Sequence, residues 1–265
     1  MSKVGVDWDS YLADYHAANP GITERLLNRA HDGQGRNPYH DLVDSFPKRP
    51  LNALDVACGS APVAHYLSEA TAYVGVDVAL NELRAARAHS DQTQVLLADS
   101  RALPFRGEEF DSVFCSMALM LMRPVRPAIG EIGRVLAPGG VLAAMFPTTG
   151  PPTRHQLLAT SALLTGLRTT PKLPQTLTRR AIQTACQSAD LTLINYETRR
   201  YTLPLESAPD ATDVINGLYL PGTSPRRIAQ ATRLLARIAR PGRSLPLHIT
   251  QFAAVKQVTR TLGAA

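Results

Sequence analysis

The stretch LDVACGSAP, Leu54–Pro62, joins an apolar run to a loop of small residues. The run ends around Asp55, and the loop has one glycine, Gly59, where loops that bind dinucleotides have two or three. Glycines in such loops let the backbone approach a pyrophosphate at a helix N-terminus, and the methyl groups of Ala57 and Ala61 obstruct that approach. A Walker loop is excluded because no Gly-Lys-Ser/Thr follows. The ligand must tolerate alanine in this loop.

Apolar runs of strand length recur along the chain and alternate with helical patterns. The runs are LNALDVAC, AYVGVDV, QVLLAD, FDSVFCSMA and GVLAAMF, and the helical patterns between them include LNELRAARAHS and RPAIGEIGRVLA. This alternation predicts a buried parallel sheet whose strand carboxyl ends meet at one edge, where ligands collect. Asp77 ends the strand after Asp55, and an acid there accepts hydrogen bonds from ribose hydroxyls. The combination favours a nucleoside ligand without phosphates.

Helical patterns flank these strands on both sides. Residues 1–49 predict two or three helices, with Asn19 and Asn37 as N-caps. LAPGG, Leu136–Gly140, predicts the end of a helix and a turn into the next strand. Beyond residue 149, helices are expected near RHQLLATSALL and TRRAIQTACQSA. They precede two strands, LTLINYETRRYTL and LPLHITQFAAVK, which are expected to pair antiparallel at the sheet edge.

The composition favours a cytoplasmic globular protein. A chain of 265 residues suffices for one large α/β domain. No apolar run approaches the roughly 18–20 residues of a membrane span, and the N-terminus lacks the apolar stretch of a secretory signal. Cys58, Cys115 and Cys186 are odd in number and widely spaced, so we interpret them as reduced thiols rather than disulfides or metal ligands. No metal site is predicted.

The net charge of +6 is distributed unevenly. The first 150 residues contain 13 Lys/Arg and 17 Asp/Glu, whereas the last 115 contain 15 and 5. In the helical pattern SPRRIAQATRLLARIAR, four arginines fall on one arc opposite an apolar side: Arg226, Arg233, Arg237 and Arg240. Two interpretations stay open, a solvated surface or a face that attracts an anionic substrate, carrier protein or membrane. Nucleic acid is less favoured, because no binding module or aromatic platform is evident.

Five segments, in order and spacing, resemble the motifs of class I S-adenosylmethionine-dependent methyltransferases. They are LDVACGSAP, VGVDVALNELRAARA, LLADSRALPF, EEFDSVFCSMALMLM and EIGRVLAPGGVLAAMF, within about residues 50–147. The resemblance implies a Rossmann-like, doubly wound α/β fold with a seven-stranded, mostly parallel sheet, an antiparallel last strand and a helical lid from both flanks. It implies a helical cap over 1–49, a cofactor-binding core over 50–148, and the rest of the sheet domain over 149–265 with a helical insertion at about 206–243.

The resemblance also assigns residues to the cofactor, S-adenosyl-L-methionine. Asp55, Ala57 and Gly59 would surround the methionine moiety, Asp77 and Val78 the ribose, Asp99 and Ser100 the adenine, and Cys115, Ser116 and Met117 the region of the methyl group. The chain departs from the family at Ala57 and Ala61, where glycine is frequent. It also has Met120 and Leu121 where relatives often have a histidine pair.

The chemistry of methyl transfer sets few requirements on the protein. Holding the acceptor atom about 3–3.5 Å from the methyl group and in line supplies much of the acceleration. A base is needed only when the acceptor must lose a proton. No strong base motif is present, and we predict Tyr15 and His16 as the catalytic residues because an N-terminal helix often covers the site in small-molecule members. Further candidates are Tyr11, His40 and His155.

The predicted function is methylation of a small-molecule acceptor in specialised metabolism, with an acceptor that is anionic or bound to a carrier. One alternative is an RNA methyltransferase, supported only by the basic C-terminal half. The other is a relative that binds the cofactor without methylating, suggested by the alanines and the missing base. A nicotinamide oxidoreductase is disfavoured by the glycine pattern and by the lack of a well-placed Tyr-x-x-x-Lys pair. The acceptor atom cannot be derived from the sequence.

Overall fold

The computed structural model describes residues 6–46, 50–69, 71–90 and 93–258. The strands are β1 (Asn52–Val56), β2 (Ala72–Asp77), β3 (Gln94–Leu97), β4 (Phe110–Ser116), β5 (Leu136–Thr148), β6 (Leu191–Pro204) and β7 (Ser244–Lys256). The helices are α1 (Trp8–Ala18), α2 (Ile22–Arg29), α3 (Pro38–Val43), α4 (Leu80–His89), α5 (Val125–Val135), α6 (Leu157–Leu167), α7 (Arg179–Gln187), α8 (Ala208–Asn216) and α9 (Pro225–Ile238), with a 3₁₀ helix at Pro62–Tyr66.

The strands form one seven-stranded sheet in the order β3-β2-β1-β4-β5-β7-β6. The sheet is mostly parallel with an antiparallel last strand, which confirms the predicted fold. Leu54 of β1 pairs with Val74 of β2 on one side and with Val113 of β4 on the other. The strand order therefore reverses at β1, and in open α/β sheets ligands bind beyond the carboxyl ends of the strands at such a point.

The segment LAPGG differs from its prediction. Leu136 already belongs to β5 and pairs with Phe110, but the next pair is Ser112 with Val141, so the strand register shifts there. Pro138 has no N–H to give to the ladder, and Gly139 has a φ of +78° that suits glycine. The predicted turn is therefore a bulge at the start of β5.

The chain divides into two compact units. We call the first the helical unit; it lies within Met1–His40, Pro147–Pro174 and Thr198–Ile249. The second, the sheet unit, lies within Asp41–Phe146, Gln175–Glu197 and Thr250–Ala265. These units follow spatial clustering of the chain rather than sequence order, and the domain boundaries given by the resemblance stay a prediction.

The helix caps of the helical unit were predicted in part. The side chain of Asn37 accepts hydrogen bonds of 3.1 Å from the backbone N–H groups of Tyr39 and His40, which confirms it as a cap. The prediction for Asn19 was wrong, because Asn19 ends α1 and α2 begins after Gly21. Gly21 has a φ of +68°, a left-handed conformation that favours glycine.

No helix in the described ranges is both long enough and apolar enough to cross a lipid bilayer.

Candidate active site

The loop after β1 keeps a glycine-type backbone although two of its positions are alanine. Ala57, Gly59 and Ala61 have φ values of +56°, +56° and +61°. The left-handed conformation costs an alanine about 1–2 kcal/mol, because its Cβ crowds the following carbonyl oxygen. The loop is therefore held in this shape by its surroundings rather than by its own residues.

Asp77, at the end of β2, holds this loop. Its Oδ2 accepts a hydrogen bond of 2.8 Å from the backbone N–H of Gly59, and its Oδ1 accepts one of 2.8 Å from the N–H of Ala79. The side chain is buried. Each carboxylate oxygen can accept more than one hydrogen bond, so both retain capacity for ligand hydroxyls. Val78, the next residue that was predicted to bind the cofactor, is exposed.

Asp55 is fully buried, and one of its two carboxyl oxygens accepts a hydrogen bond. Its Oδ2 accepts a hydrogen bond of 3.0 Å from the hydroxyl of Tyr73, whereas its Oδ1 has no partner among the described residues. Burial, together with the charge of Asp77, raises the pKa of Asp55 to about 8. An unpaired buried carboxyl oxygen is costly unless a ligand donor reaches it. It suits a cationic group.

Sequence reasoning missed Tyr73. A detectable signal was its spacing, because Tyr73, Gly75 and Asp77 alternate along β2 and therefore lie on one face of the strand. Gly75 pairs in register with Asp55 on the neighbouring strand. The bond from Tyr73 to Asp55, by contrast, crosses between strands and needs the three-dimensional structure.

Of the two residues predicted around adenine, Asp99 is bound to Arg101. The side chain of Arg101 donates to both carboxylate oxygens of Asp99, at 3.0 Å from Nε and 2.6 Å from Nη2, and this contact lowers the pKa of Asp99. The backbone N–H of Arg101 also donates to Asp99, at 2.8 Å. Ser100 is partly buried. An adenine ring bound here would share the Asp99 carboxylate with Arg101.

The chain turns sharply after β4. Met117 has a φ of +56°, and its backbone N–H donates a hydrogen bond of 2.8 Å to the carbonyl of Met145 on β5. Ser116 is partly buried, whereas Cys115 is fully buried, and this burial raises the pKa of its thiol. Cys115 therefore stays a neutral thiol that packs in the core and does not act as a nucleophile.

The two residues predicted to be catalytic lie on α1 in the helical unit. The hydroxyl of Tyr15 donates a hydrogen bond of 2.7 Å to the carbonyl of Asn216, and its ring lies 4.5 Å from that of Tyr219. The hydroxyl of Tyr11 accepts one of 2.7 Å from the N–H of Leu220. The ring of His16 lies 5.2 Å from that of Tyr15 and is partly exposed. The two tyrosines thus bind α1 to the last residue of α8 and to the segment that follows it.

The four arginines predicted to share one helical arc are all exposed: Arg226, Arg233, Arg237 and Arg240. The first three lie on α9, but the prediction for Arg240 was wrong, because the helix ends at Ile238 and Ala239 is extended. On the opposite side Ala231 and Leu235 are fully buried, as the helical periodicity predicts. Gly166 of α6 packs there so closely that a Cβ on it would lie 2.4 Å from Cα of Ala231. Within the described ranges, none of the four guanidinium groups has a carboxylate within 4.0 Å.

Comparison with known proteins identifies the core of the chain. Residues 54–144 match the model of a methyltransferase domain. A demethylmenaquinone methyltransferase of Thermus thermophilus is 34% identical over 134 residues, 48% of this chain and 60% of the relative. A malonyl-[acyl-carrier protein] O-methyltransferase of Methylovorus is 30% identical over 173 residues, 60% of this chain and 53% of the relative. The human mitochondrial arginine-hydroxylase NDUFAF5 is 34% identical over 109 residues, 40% of this chain and 32% of the relative.

The matches span about a third to three fifths of the length of these relatives. Two solved structures share the fold. One is a phosphoethanolamine N-methyltransferase of Haemonchus contortus in complex with S-adenosylhomocysteine, with a TM-score of 0.59 at 17% identity, covering 96% of this chain and 61% of that one. The other is the [4+2]-cyclase SpnF, with a TM-score of 0.58 at 18% identity, covering 93% and 95%. Residues 54–144 of this chain are therefore similar to a methyltransferase domain, and the fold around them is the fold of these two structures.

Proposed function

We propose that this protein transfers the methyl group of S-adenosyl-L-methionine to a small-molecule acceptor. The observation that carries the proposal is the pair of buried carboxyl groups, Asp55 and Asp77, which end neighbouring strands beside a left-handed loop. The Oδ1 of Asp55, which has no partner among the described residues, fits the ammonium group of the cofactor, and Asp77 fits its ribose hydroxyls. Ala57 and Gly59 would surround the methionine moiety, and the segment Cys115–Met117 the methyl group.

The protein's part in the reaction is binding, orientation and proton removal. The cofactor supplies an electrophilic methyl group on a sulfonium, which leaves as a thioether. The carboxylates of Asp55 and Asp77 would fix the ammonium group and the ribose, one on each side of the sulfonium, and the acceptor would be held in line. For an acceptor that must lose a proton, we propose His16 as the base, because the hydroxyl of Tyr15 already donates to Asn216. Tyr15 then orients the helix that carries His16.

We propose that the acceptor is anionic or bound to an acidic carrier. The support is the three exposed arginines on one arc of α9, with exposed Arg240 just after the helix, which would attract a negatively charged partner. One relative is named for a malonyl-[acyl-carrier protein] substrate, which is compatible with this proposal. Nucleic acid is less favoured, since the exposed arc of α9 carries no aromatic side chain for base stacking. We place the protein in the cytoplasm.

A second candidate function is supported by two of the comparisons. A [4+2]-cyclase shares the fold, and an arginine-hydroxylase is 34% identical to this chain over the matched segment. A protein with this core can therefore carry out chemistry other than methyl transfer. The alternative is binding of the same cofactor without methylation.

The test measures cofactor binding by calorimetry and then methyl transfer by turnover. We expect S-adenosylmethionine and S-adenosylhomocysteine to bind and NAD to bind far more weakly. Release of S-adenosylhomocysteine is then measured against a panel of hydroxyl, amine and carboxylate acceptors, free and carrier-bound. Absence of cofactor binding contradicts the proposal. Binding with no turnover across the panel favours the non-methylating alternative.

A further inference from the structure

We propose that Tyr73 is a positioning residue for Asp55: its hydroxyl fixes Oδ2 and so presents Oδ1 to the ammonium group of the cofactor. The inference rests on the proposed function and assigns it a residue that neither the motifs nor the comparisons single out. Every group involved belongs to the sheet unit.

The hydroxyl reaches Asp55 through a gap left by a glycine. Gly75 lies on the same face of β2 as Tyr73 and pairs in register with Asp55. A Cβ on residue 75 would lie 3.1 Å from the Tyr73 hydroxyl and 2.7 Å from Sγ of Cys58. Any side chain there would displace both atoms. Glycine at position 75 therefore leaves the space in which the Tyr73 hydroxyl reaches Asp55.

The donor matters because nothing else described in the chain donates to this carboxyl group. Asp55 is fully buried, and its Oδ1 has no partner in the part of the chain that the structure describes. Without a hydrogen bond, a carboxyl group can rotate about its Cβ–Cγ bond and exchange the positions of its two oxygens. A hydrogen bond to one oxygen fixes the rotation and therefore the direction of the other oxygen. With Oδ2 held by Tyr73 at 3.0 Å, Oδ1 is left as the oxygen for the ligand.

The charges near Asp55 make its ionisation depend on the ligand. The neighbouring acid is Asp77, and the other titratable groups that interact with Asp55 are Tyr73, Cys58 and Cys115, all neutral because burial raises their pKa values. Burial and Asp77 keep Asp55 protonated at neutral pH, whereas the hydrogen bond from Tyr73 opposes this by lowering its pKa. An arriving ammonium group favours the carboxylate, so binding releases a proton.

The experiment compares two ligands that differ at the amino-acid end. S-Adenosylhomocysteine carries the ammonium group, and 5′-methylthioadenosine lacks it. The variant is Tyr73→Phe, and the matched control is Tyr196→Phe on β6, whose ring lies under Arg179. Affinities are measured by calorimetry on the full chain. For Tyr73→Phe we expect a loss of about 10- to 100-fold for S-adenosylhomocysteine, the scale of a hydrogen bond to a charged group, and less than 2-fold for 5′-methylthioadenosine.

Unchanged binding of S-adenosylhomocysteine in Tyr73→Phe, or an equal loss for both ligands, overturns the inference. A wild-type protein that binds neither ligand overturns the proposed function and this inference together.

A second measurement needs no variant. Titrations of the wild-type protein in buffers of different ionisation enthalpy count the protons released on binding. Between pH 6 and pH 8 we expect release of up to one proton with S-adenosylhomocysteine and none with 5′-methylthioadenosine. In Tyr73→Phe the release should persist to higher pH, since the bond that lowers the pKa of Asp55 is gone. Equal proton release for the two ligands overturns the inference.

Discussion

The backbone N–H of Gly59 donates a hydrogen bond of 2.8 Å to Oδ2 of Asp77, and this bond joins the loop after β1 to the end of β2. Asp77 is therefore both a structural residue and a proposed ligand for the ribose. Because its second oxygen accepts from Ala79, one side chain satisfies two backbone donors. A substitution at this position should change two measurable quantities.

Asp77→Ala should weaken binding of S-adenosylhomocysteine by about 10-fold or more and lower the free energy of unfolding of the ligand-free protein by about 1.5–3 kcal/mol. Calorimetry and urea unfolding measure the two effects. The control is Asp111→Ala, which removes a carboxylate that accepts from the N–H groups of Leu51 and Asn52 at the other end of β1. It should destabilise the protein without weakening binding. Unchanged affinity in Asp77→Ala would remove this residue from the site.

The alanines of the loop make a prediction about stability. Ala57→Gly relieves a left-handed alanine but increases the entropy of the unfolded chain, so we expect a net gain of about 0.5–1 kcal/mol in the free energy of unfolding. Ala61→Gly should be near neutral, because the Ala61 methyl group is buried in a cluster with Leu83. The control Ala88→Gly, exposed on α4, should lose about 1 kcal/mol. A destabilised Ala57→Gly would contradict the strain argument.

The sequence predicted the sheet far better than the contacts that shape the site. β1 to β5 follow from apolar runs of strand length, and Asp55 and Asp77 from their places at strand ends. The hydrogen bond from Tyr73 to Asp55 could not be predicted from the sequence, because it depends on how the two strands pair and not on the order of residues along the chain. The bond from Tyr15 to Asn216 joins residues 201 positions apart, which no local pattern encodes. Whether the N-terminal helix covers the cofactor stays a prediction.

Asp55 should make the stability of the ligand-free protein depend on pH. An unfolded aspartate titrates near about pH 3.9, whereas in the folded protein the pKa of Asp55 is raised to about 8. Between these values the folded state binds one proton more than the unfolded state. The free energy of unfolding should therefore fall as pH rises, by at most about 1.4 kcal/mol per pH unit.

Asp55→Asn removes the titrating group and should flatten this dependence. Urea unfolding at pH 5, 6, 7 and 8 measures it for both proteins without ligand. The same variant should lose affinity for S-adenosylhomocysteine, since an amide offers no charge to the ammonium group. Parallel stability curves for the two proteins would show that Asp55 is ionised at neutral pH even without ligand.

The two residues of α1 can be separated by measuring stability and turnover side by side. Tyr15→Phe should lower the free energy of unfolding by about 0.5–1.5 kcal/mol, because the Asn216 carbonyl loses its donor. His16→Ala should lower kcat by about 10²–10⁴-fold, the scale for a general base, with the affinity for S-adenosylhomocysteine unchanged. Full activity in His16→Ala would indicate catalysis by orientation alone, with an acceptor that needs no base.

The exposed arginines of α9 make a prediction about the acceptor. Arg226, Arg233 and Arg237 lie opposite the buried side of the helix, and Arg240 follows its end. None of the four has a carboxylate partner within the described ranges, so their charge is available for long-range attraction. Such attraction acts on encounter and is screened by salt, with a Debye length of about 8 Å near 0.15 M. Replacing Arg226, Arg233, Arg237 and Arg240 by glutamine should raise the acceptor KM and flatten its salt dependence.

The matched control removes the same charge from exposed positions of the sheet unit. It replaces Arg84, Arg106, Arg126 and Arg180 by glutamine. If position as well as charge matters, this control should keep the parent's KM and salt response, because its arginines belong to different segments of the chain rather than to α9 and the residues just after it. Cofactor affinity should not change in the α9 variant, since the proposed cofactor residues lie within 55–117. A folded α9 variant with the parent's KM and salt response would assign these arginines to a solvated surface with no part in recognising the acceptor.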